Sequence, residues 1–211
     1  MSASNLLSDL AAIVGQANVL TSDADRSFYA MDVYNQLELP LAVVQPATVD
    51  ELQKAVRAIT LSGVAVVPRG GGASYTDGYL PTTSNSVLVD TTPLNRIVEI
   101  NATDRYVTVE PGVTWAELWQ QLAKQGLRTT FWGPFSGIKA TVGGSMSQNS
   151  ASLGSGNYGV SADAVLSFDI VLANGELLRT SSAAAANGVP FFRWYGPDLT
   201  GVFTGDAGAL G

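Results

Sequence analysis

Apolar residues near the start of the chain fall at Leu6, Leu7, Leu10, Ile13 and Val14, so "MSASNLLSDLAAIVG" predicts one amphipathic helix. An irregular stretch follows as far as Pro40. "LAVVQP", residues 41–46, then reads as a short buried strand. "TVDELQKAVRAITLSG" opens with Thr48 and Glu51 at capping-box spacing, carries Leu52, Val56 and Ile59 on one face, and stops at Gly63. "VAVVP" follows at once as another strand. Strand, helix and strand with short joints predict a right-handed parallel unit.

Further along, "SVLVD", "RIVEI" and "YVTVEPG" are closely spaced strand candidates, and "TWAELWQQLAKQG" is a helix with Thr114 and Glu117 as a second capping box. "AVLSFDIVLANGELLRT" predicts a hairpin whose Asn174-Gly175 pair suits a tight type I′ turn. "SSAAAANGVP" is a loop or a short helix. The pattern predicts two lobes in an α+β domain: a small βαβ lobe to about residue 90 and a larger, mainly antiparallel lobe flanked by helices beyond it.

Composition narrows the function. The 211 residues are 46% hydrophobic and 14% charged, which suits a folded core. A net charge of −7 argues against nucleic acid or an anionic membrane surface as the main partner, leaving small molecules and proteins. The sequence has no cysteine and no histidine, which removes thiolate chemistry, the commonest general base and the commonest metal ligand. No metal site is expected. The N-terminus lacks a basic leader region, and no apolar run approaches the roughly 20 residues of a membrane span, so a cytoplasmic protein is expected.

Glycine carries the candidate chemistry. Gly154, Gly156 and Gly159 spell G-x-G-x-x-G, but "SMSQNSASL" precedes them and a strand follows, the wrong context for a Rossmann fingerprint. A Walker loop is excluded because no Gly-Lys pair occurs. "VVPRGGGASYTDGYLP" places three glycines at the carboxyl end of the second parallel strand, the edge where open α/β sheets bind ligands. Such a run can turn several N–H groups toward one anion, or can serve as a flexible turn. "ATVGGSMSQNS" adds a second cluster, open to flat polar ligands or to tight helix packing. Tyr75, Asp77, Tyr79, Trp132 and Tyr158 stand near these loops without an assigned role, and no catalytic residue is identified.

Five segments in order resemble the FAD-binding PCMH-type domain of the vanillyl-alcohol oxidase and p-cresol methylhydroxylase flavoproteins. They are "VVPRGGGASYTDG", "VEPGVTWAEL", "GPFSGIKATVGGSMSQNSAS…NYG", "VLSFDIVLANGEL" and "YGPDLTGVFTGDAGALG". The resemblance implies an N-terminal helical segment over residues 1–39 and the FAD-binding domain over 40–211, with lobes at about 40–90 and 91–211. It implies that Arg69, Gly70, Gly71, Gly72, Ala73 and Ser74 present mainly backbone N–H groups to the FAD pyrophosphate. Pro111 and Gly112 would lie beside the cofactor. Ser136, Thr141, Gly143, Gly144, Ser147, Asn149 and Ser150 would line the pyrophosphate, ribityl chain and isoalloxazine, with Tyr158 and Gly159 closing the segment and Val171 near the adenine.

Two departures from that family matter. Ala73 stands where many relatives carry a histidine bonded to the flavin, so noncovalent FAD is expected. "QNSAS", residues 148–152, replaces a common "TNAGG". The implied activity is oxidation of an alcohol or 2-hydroxy acid CH–OH group by hydride transfer to FAD. The implied C-terminal substrate domain is absent from the sequence, which suggests a truncation, marginal stability and self-association. The alternatives are a non-catalytic flavin-binding or assembly subunit that needs a partner chain, and a reductase pairing FAD with a nicotinamide.

Overall fold

The computed structural model describes residues 3–130, 136–185, 187–193 and 196–211. The first lobe contains α1 (Ala3–Val14), β1 (Val19–Leu20), α2 (Asp23–Tyr29), β2 (Ala42–Val44), α3 (Val49–Leu61), β3 (Ala65–Arg69) and β4 (Ser86–Asp90). Its sheet runs β1-β2-β4-β3, with β2, β4 and β3 parallel and β1 antiparallel at the edge. The two strands that flank α3 are therefore not neighbours: "SVLVD" inserts between them. The burial pattern explains the order. Every residue of β4 is buried, as in a central strand covered on both faces. β3 carries Pro68, which cannot donate to a ladder and is tolerated at the edge.

Leu6, Leu10 and Val14 of α1 join Ala55 and Ile59 of α3 and Val44, Val87 and Val89 of the sheet in one core. The N-terminal helix thus packs into the first lobe. The stretch predicted to be irregular holds β1 and α2. Ser22 caps α2, its hydroxyl accepting the Asp25 N–H at 3.1 Å.

The second lobe contains β5 (Ile97–Asn101), β6 (Tyr106–Val109), α4 (Trp115–Ala123), α5 (Val142–Ser147), the single turn α6 (Ser155–Tyr158), β7 (Asp169–Val171), β8 (Leu177–Arg179) and α7 (Leu199–Val202). β5 pairs with β6 and β7 with β8, both antiparallel, so the described residues form two ladders. Val113, Trp115, Leu118, Leu122, Met146 and Val165 form its core, with Ile97, Ile100, Val107, Val109 and Phe168 against it.

The β7–β8 turn differs from expectation. Ala173, Asn174 and Gly175 form a three-residue loop: the Gly175 N–H donates to Leu172 O at 2.8 Å, and the Leu172 N–H to Glu176 O at 2.9 Å. Gly175 has φ 81, but Asn174 is not among the positive-φ residues that a type I′ turn requires at both centres. Contact with the first lobe gives a reason for the longer tip. Gln53 Nε2 of α3 donates to Gly175 O at 2.9 Å, and a Cβ on Gly175 would lie 2.7 Å from Gln53 O.

Candidate functional site

The first glycine loop begins where β3 ends. Thr91 holds that end, its N–H and hydroxyl donating to Arg69 O at 2.9 and 3.2 Å. The chain then turns through Gly70, Gly71 and Gly72, the last at φ +63. Its far side is tied down by Tyr79, whose hydroxyl donates to Ser74 O at 2.9 Å, and by the Asp77 N–H, which donates to Asp32 Oδ2 at 3.3 Å. Between these anchors, no backbone N–H from Gly70 to Thr76 donates to a protein acceptor among the described residues. Consecutive unspent donors at the carboxyl edge of a parallel sheet are the kind of backbone that can receive an anion.

The second glycine segment lies directly against the first. A Cβ on Gly71 would sit 1.7 Å from Lys139 O, and one on Gly70 would sit 2.6 Å from Thr141 Oγ1. Gly143 meets Pro111 in the same way, at 2.5 Å from its Cβ. Bare backbone therefore serves first to let three chain segments touch. The donors of α5 are spent inside the protein: the N–H groups of Val142, Gly143 and Gly144 go to Val113 O, Pro111 O and Thr141 Oγ1 at 2.8, 3.0 and 3.2 Å. Trp115 Nε1 donates to Ser145 Oγ at 2.7 Å and fixes the buried face of α5. What α5 offers the cleft is small size and the Ser147 hydroxyl.

One broad open depression of about 2130 Å³, with a lining that runs from Val49 of α3 to Gly211, includes Arg69, Gly70, Gly71, Gly72, Ala73, Ser74, Pro111, Ser136, Thr141, Gly143, Gly144, Ser147, Ser150 and Val171. Four expected residues do not line it. Gly112 is buried behind the wall, where a Cβ would meet the carbonyls of Thr91, Thr92 and Leu94 at 2.5–2.7 Å. Asn149 has φ 45 and accepts the Ala162 N–H on Oδ1 at 3.0 Å, a bond that anchors the following turn. Tyr158 is exposed on α6. Gly159, at φ +83, makes room for the Asp163 carboxylate, which accepts the Val160 N–H at 2.8 Å. Trp132 lies outside the described residues.

Two supports beneath the loop, Phe28 and Tyr29, come from the stretch predicted to be irregular. Arg69 is 9% exposed, and its guanidinium carbon lies 5.1 Å from the ring centres of Tyr29 and Tyr79 and 6.0 Å from that of Phe28. Burial pulls its pKa below the ordinary guanidinium value. The Tyr29 hydroxyl donates to the buried Asp90 Oδ2 at 3.1 Å, and Gln45 Nε2 donates to that oxygen at 2.8 Å. Burial and the Asp90 charge push the Tyr29 phenol up to about 12. Across the mouth of the cleft, Thr76 Oγ1 donates to Gln148 Oε1 at 3.1 Å. Ser22 and Asp25, at capping-box spacing, are the sequence signal for α2 and hence for Tyr29.

A family model described as "FAD binding domain" matches residues 40–181. The chain belongs to the FAD-binding domain family. This FAD-binding domain is 34% identical over 202 residues to "Glycolate oxidase subunit GlcD" of Bacillus subtilis, covering 94% of the chain and 41% of that protein. It is 29% identical to "4-cresol dehydrogenase [hydroxylating] flavoprotein subunit" of Pseudomonas putida, covering 92% of the chain and 38% of that protein. The crystal structure of p-cresol methylhydroxylase with substrate bound matches with a TM-score of 0.82 at 24% identity, over 95% of this chain and 40% of that one. The fold is thus of PCMH type, and the chain spans about two fifths of the length of these relatives.

FAD is the cofactor of this fold, and the residues present fit it. The diphosphate is an anion that calls for N–H donors, the Gly70–Thr76 run offers them, and no carboxylate stands within that run. Among the described residues no cluster suits a metal ion, and no helix is long and apolar enough to cross a membrane.

Proposed function

We propose that the chain is the flavin-holding part of an FAD-dependent oxidoreductase that oxidises the CH–OH group of an alcohol or 2-hydroxy acid. The reading rests on the unspent donor run from Gly70 to Thr76 facing the small-residue wall of α5. Similar proteins support the substrate class: a glycolate oxidase subunit, a D-lactate dehydrogenase at 30% identity and a D-2-hydroxyglutarate dehydrogenase at 32%. When bound, FAD accepts the hydride. The protein's part is to hold the diphosphate on the loop and seat the remainder along α5 and the β7 edge. Substrate groups and the base come from a further segment or a partner chain, since the chain covers 41% of the glycolate oxidase subunit.

FAD is bound noncovalently. Ala73 supplies no attachment atom, and the chain has no histidine or cysteine to replace it. Acid precipitation of the reconstituted chain is expected to release all flavin absorbance to the supernatant. Yellow colour retained in the washed pellet would refute noncovalent binding. A chain that is folded by circular dichroism yet takes up no FAD on titration would refute the cofactor assignment.

A further inference from the structure

Arg69 is a buried cation that no carboxylate touches among the described residues, the Asp90 charge acting on it only from beyond ion-pair distance. Burying a guanidinium is costly unless an anion or a full set of acceptors meets it. Among the described residues no carboxylate lies within 4.0 Å of it. Its Nε has no acceptor, and Nη2 has one long contact, 3.4 Å to Met31 O. Asp90 favours the cation through its charge alone, its hydrogen bonds coming from Tyr29 Oη, Gln45 Nε2, and the N–H and hydroxyl of Thr92. The aromatic cage offsets part of the charge. The guanidinium also lies flat against the loop: a Cβ on Gly72 would be 2.3 Å from Nη2. The positive charge therefore sits just behind the unspent N–H run.

We infer that Arg69 is a positioning residue, a buried counter-charge that acts through the Gly70–Thr76 loop on the dianionic diphosphate of FAD without gripping it directly. The inference rests on the proposed flavin site and adds a division of labour. Backbone donors fix where the anion sits, and Arg69 sets how strongly the site attracts it. It also carries a consequence for the ligand-free chain, in which the incompletely compensated charge opposes folding.

The test uses the purified chain, inorganic pyrophosphate and FAD as probes, and the variants Arg69→Met and Arg69→Lys. Pyrophosphate is expected to raise the melting temperature of the wild type beyond the effect of sodium chloride at equal ionic strength. Arg69→Met is expected to melt at or above the wild-type temperature without ligand, where an arginine needed only for packing would give the reverse. It is also expected to weaken FAD and pyrophosphate by one common factor, about tenfold to a hundredfold for a charge acting across a loop. Arg69→Lys keeps the charge and is expected to keep most of both affinities.

Arg69→Met with wild-type affinity for both probes overturns the inference. So does an FAD loss with pyrophosphate binding unchanged, failure of Arg69→Met to fold, or a folded Arg69→Lys that has lost pyrophosphate. A wild type that binds pyrophosphate but not FAD sinks the flavin reading and leaves the counter-charge standing. A wild type that binds FAD beside an unresponsive Arg69→Met does the opposite.

Discussion

At Gly71 a single hydrogen atom separates two readings of the same loop. The run of glycines was equally compatible with a bare turn and with a surface for an anion, and the structure adds a third demand, contact with Lys139 O. Gly71→Ala is therefore expected to destabilise the fold itself, by about 1–3 kcal/mol as overpacking does, in a urea titration without flavin. A loss of FAD affinity at unchanged stability would show that the Lys139 contact yields freely. Glu110 gives a pH-dependent counterpart. Burial would raise its pKa, but hydrogen bonds from the Arg96 side chain and N–H, with the Arg96 charge, hold it below the ordinary carboxylate value. A depressed pKa adds stability above the unfolded value, about 4.3, that is lost as pH falls through the folded one. The lead of wild type over Glu110→Gln in melting temperature is expected to be full at pH 7 and to shrink below about pH 4.3.

Among the elements, helices announced their starts best. Thr48 and Thr114 each accept the N–H of the glutamate three residues on, at 3.2 Å, as the capping pattern predicts. Thr48→Ala is expected to cost about 1 kcal/mol in urea unfolding, and no measurable change would mean that packing against the sheet alone holds α3. Strand order was less legible. "SVLVD" has no polar alternation, which marks full burial, yet only tertiary pairing places it between β2 and β3. The stretch before Pro40 shows no helical periodicity because α2 is short and its apolar residues serve Arg69 rather than a core stripe. The site was legible as a set of glycine segments because bare backbone leaves a mark in sequence. Its supports, Tyr29, Gln45 and Asp90, were hidden because they meet one another, and Tyr29 meets Arg69, from distant positions.

For the whole molecule, the cleft draws on both lobes, from Pro68 and the first loop to α5, Val171 and the late residues Asp206 to Gly208. The late loop is fastened to α5, the Ala207 N–H donating to Ser147 O at 2.9 Å. A ligand seated across such a cleft stabilises both lobes by mass action, by about 2.7 kcal/mol when free FAD stands at a hundred times its dissociation constant. Differential scanning calorimetry is expected to show the transition moving upward with FAD as one peak. Two peaks, with only one moving, would place the cofactor on a single lobe. The amides from Gly70 to Thr76 also make the loop its own isotope clock. With no protein acceptor among the described residues to slow them, they are expected to take up deuterium rapidly when the chain is ligand-free. They are expected to fall silent together once a diphosphate engages them, giving occupancy amide by amide without any flavin colour.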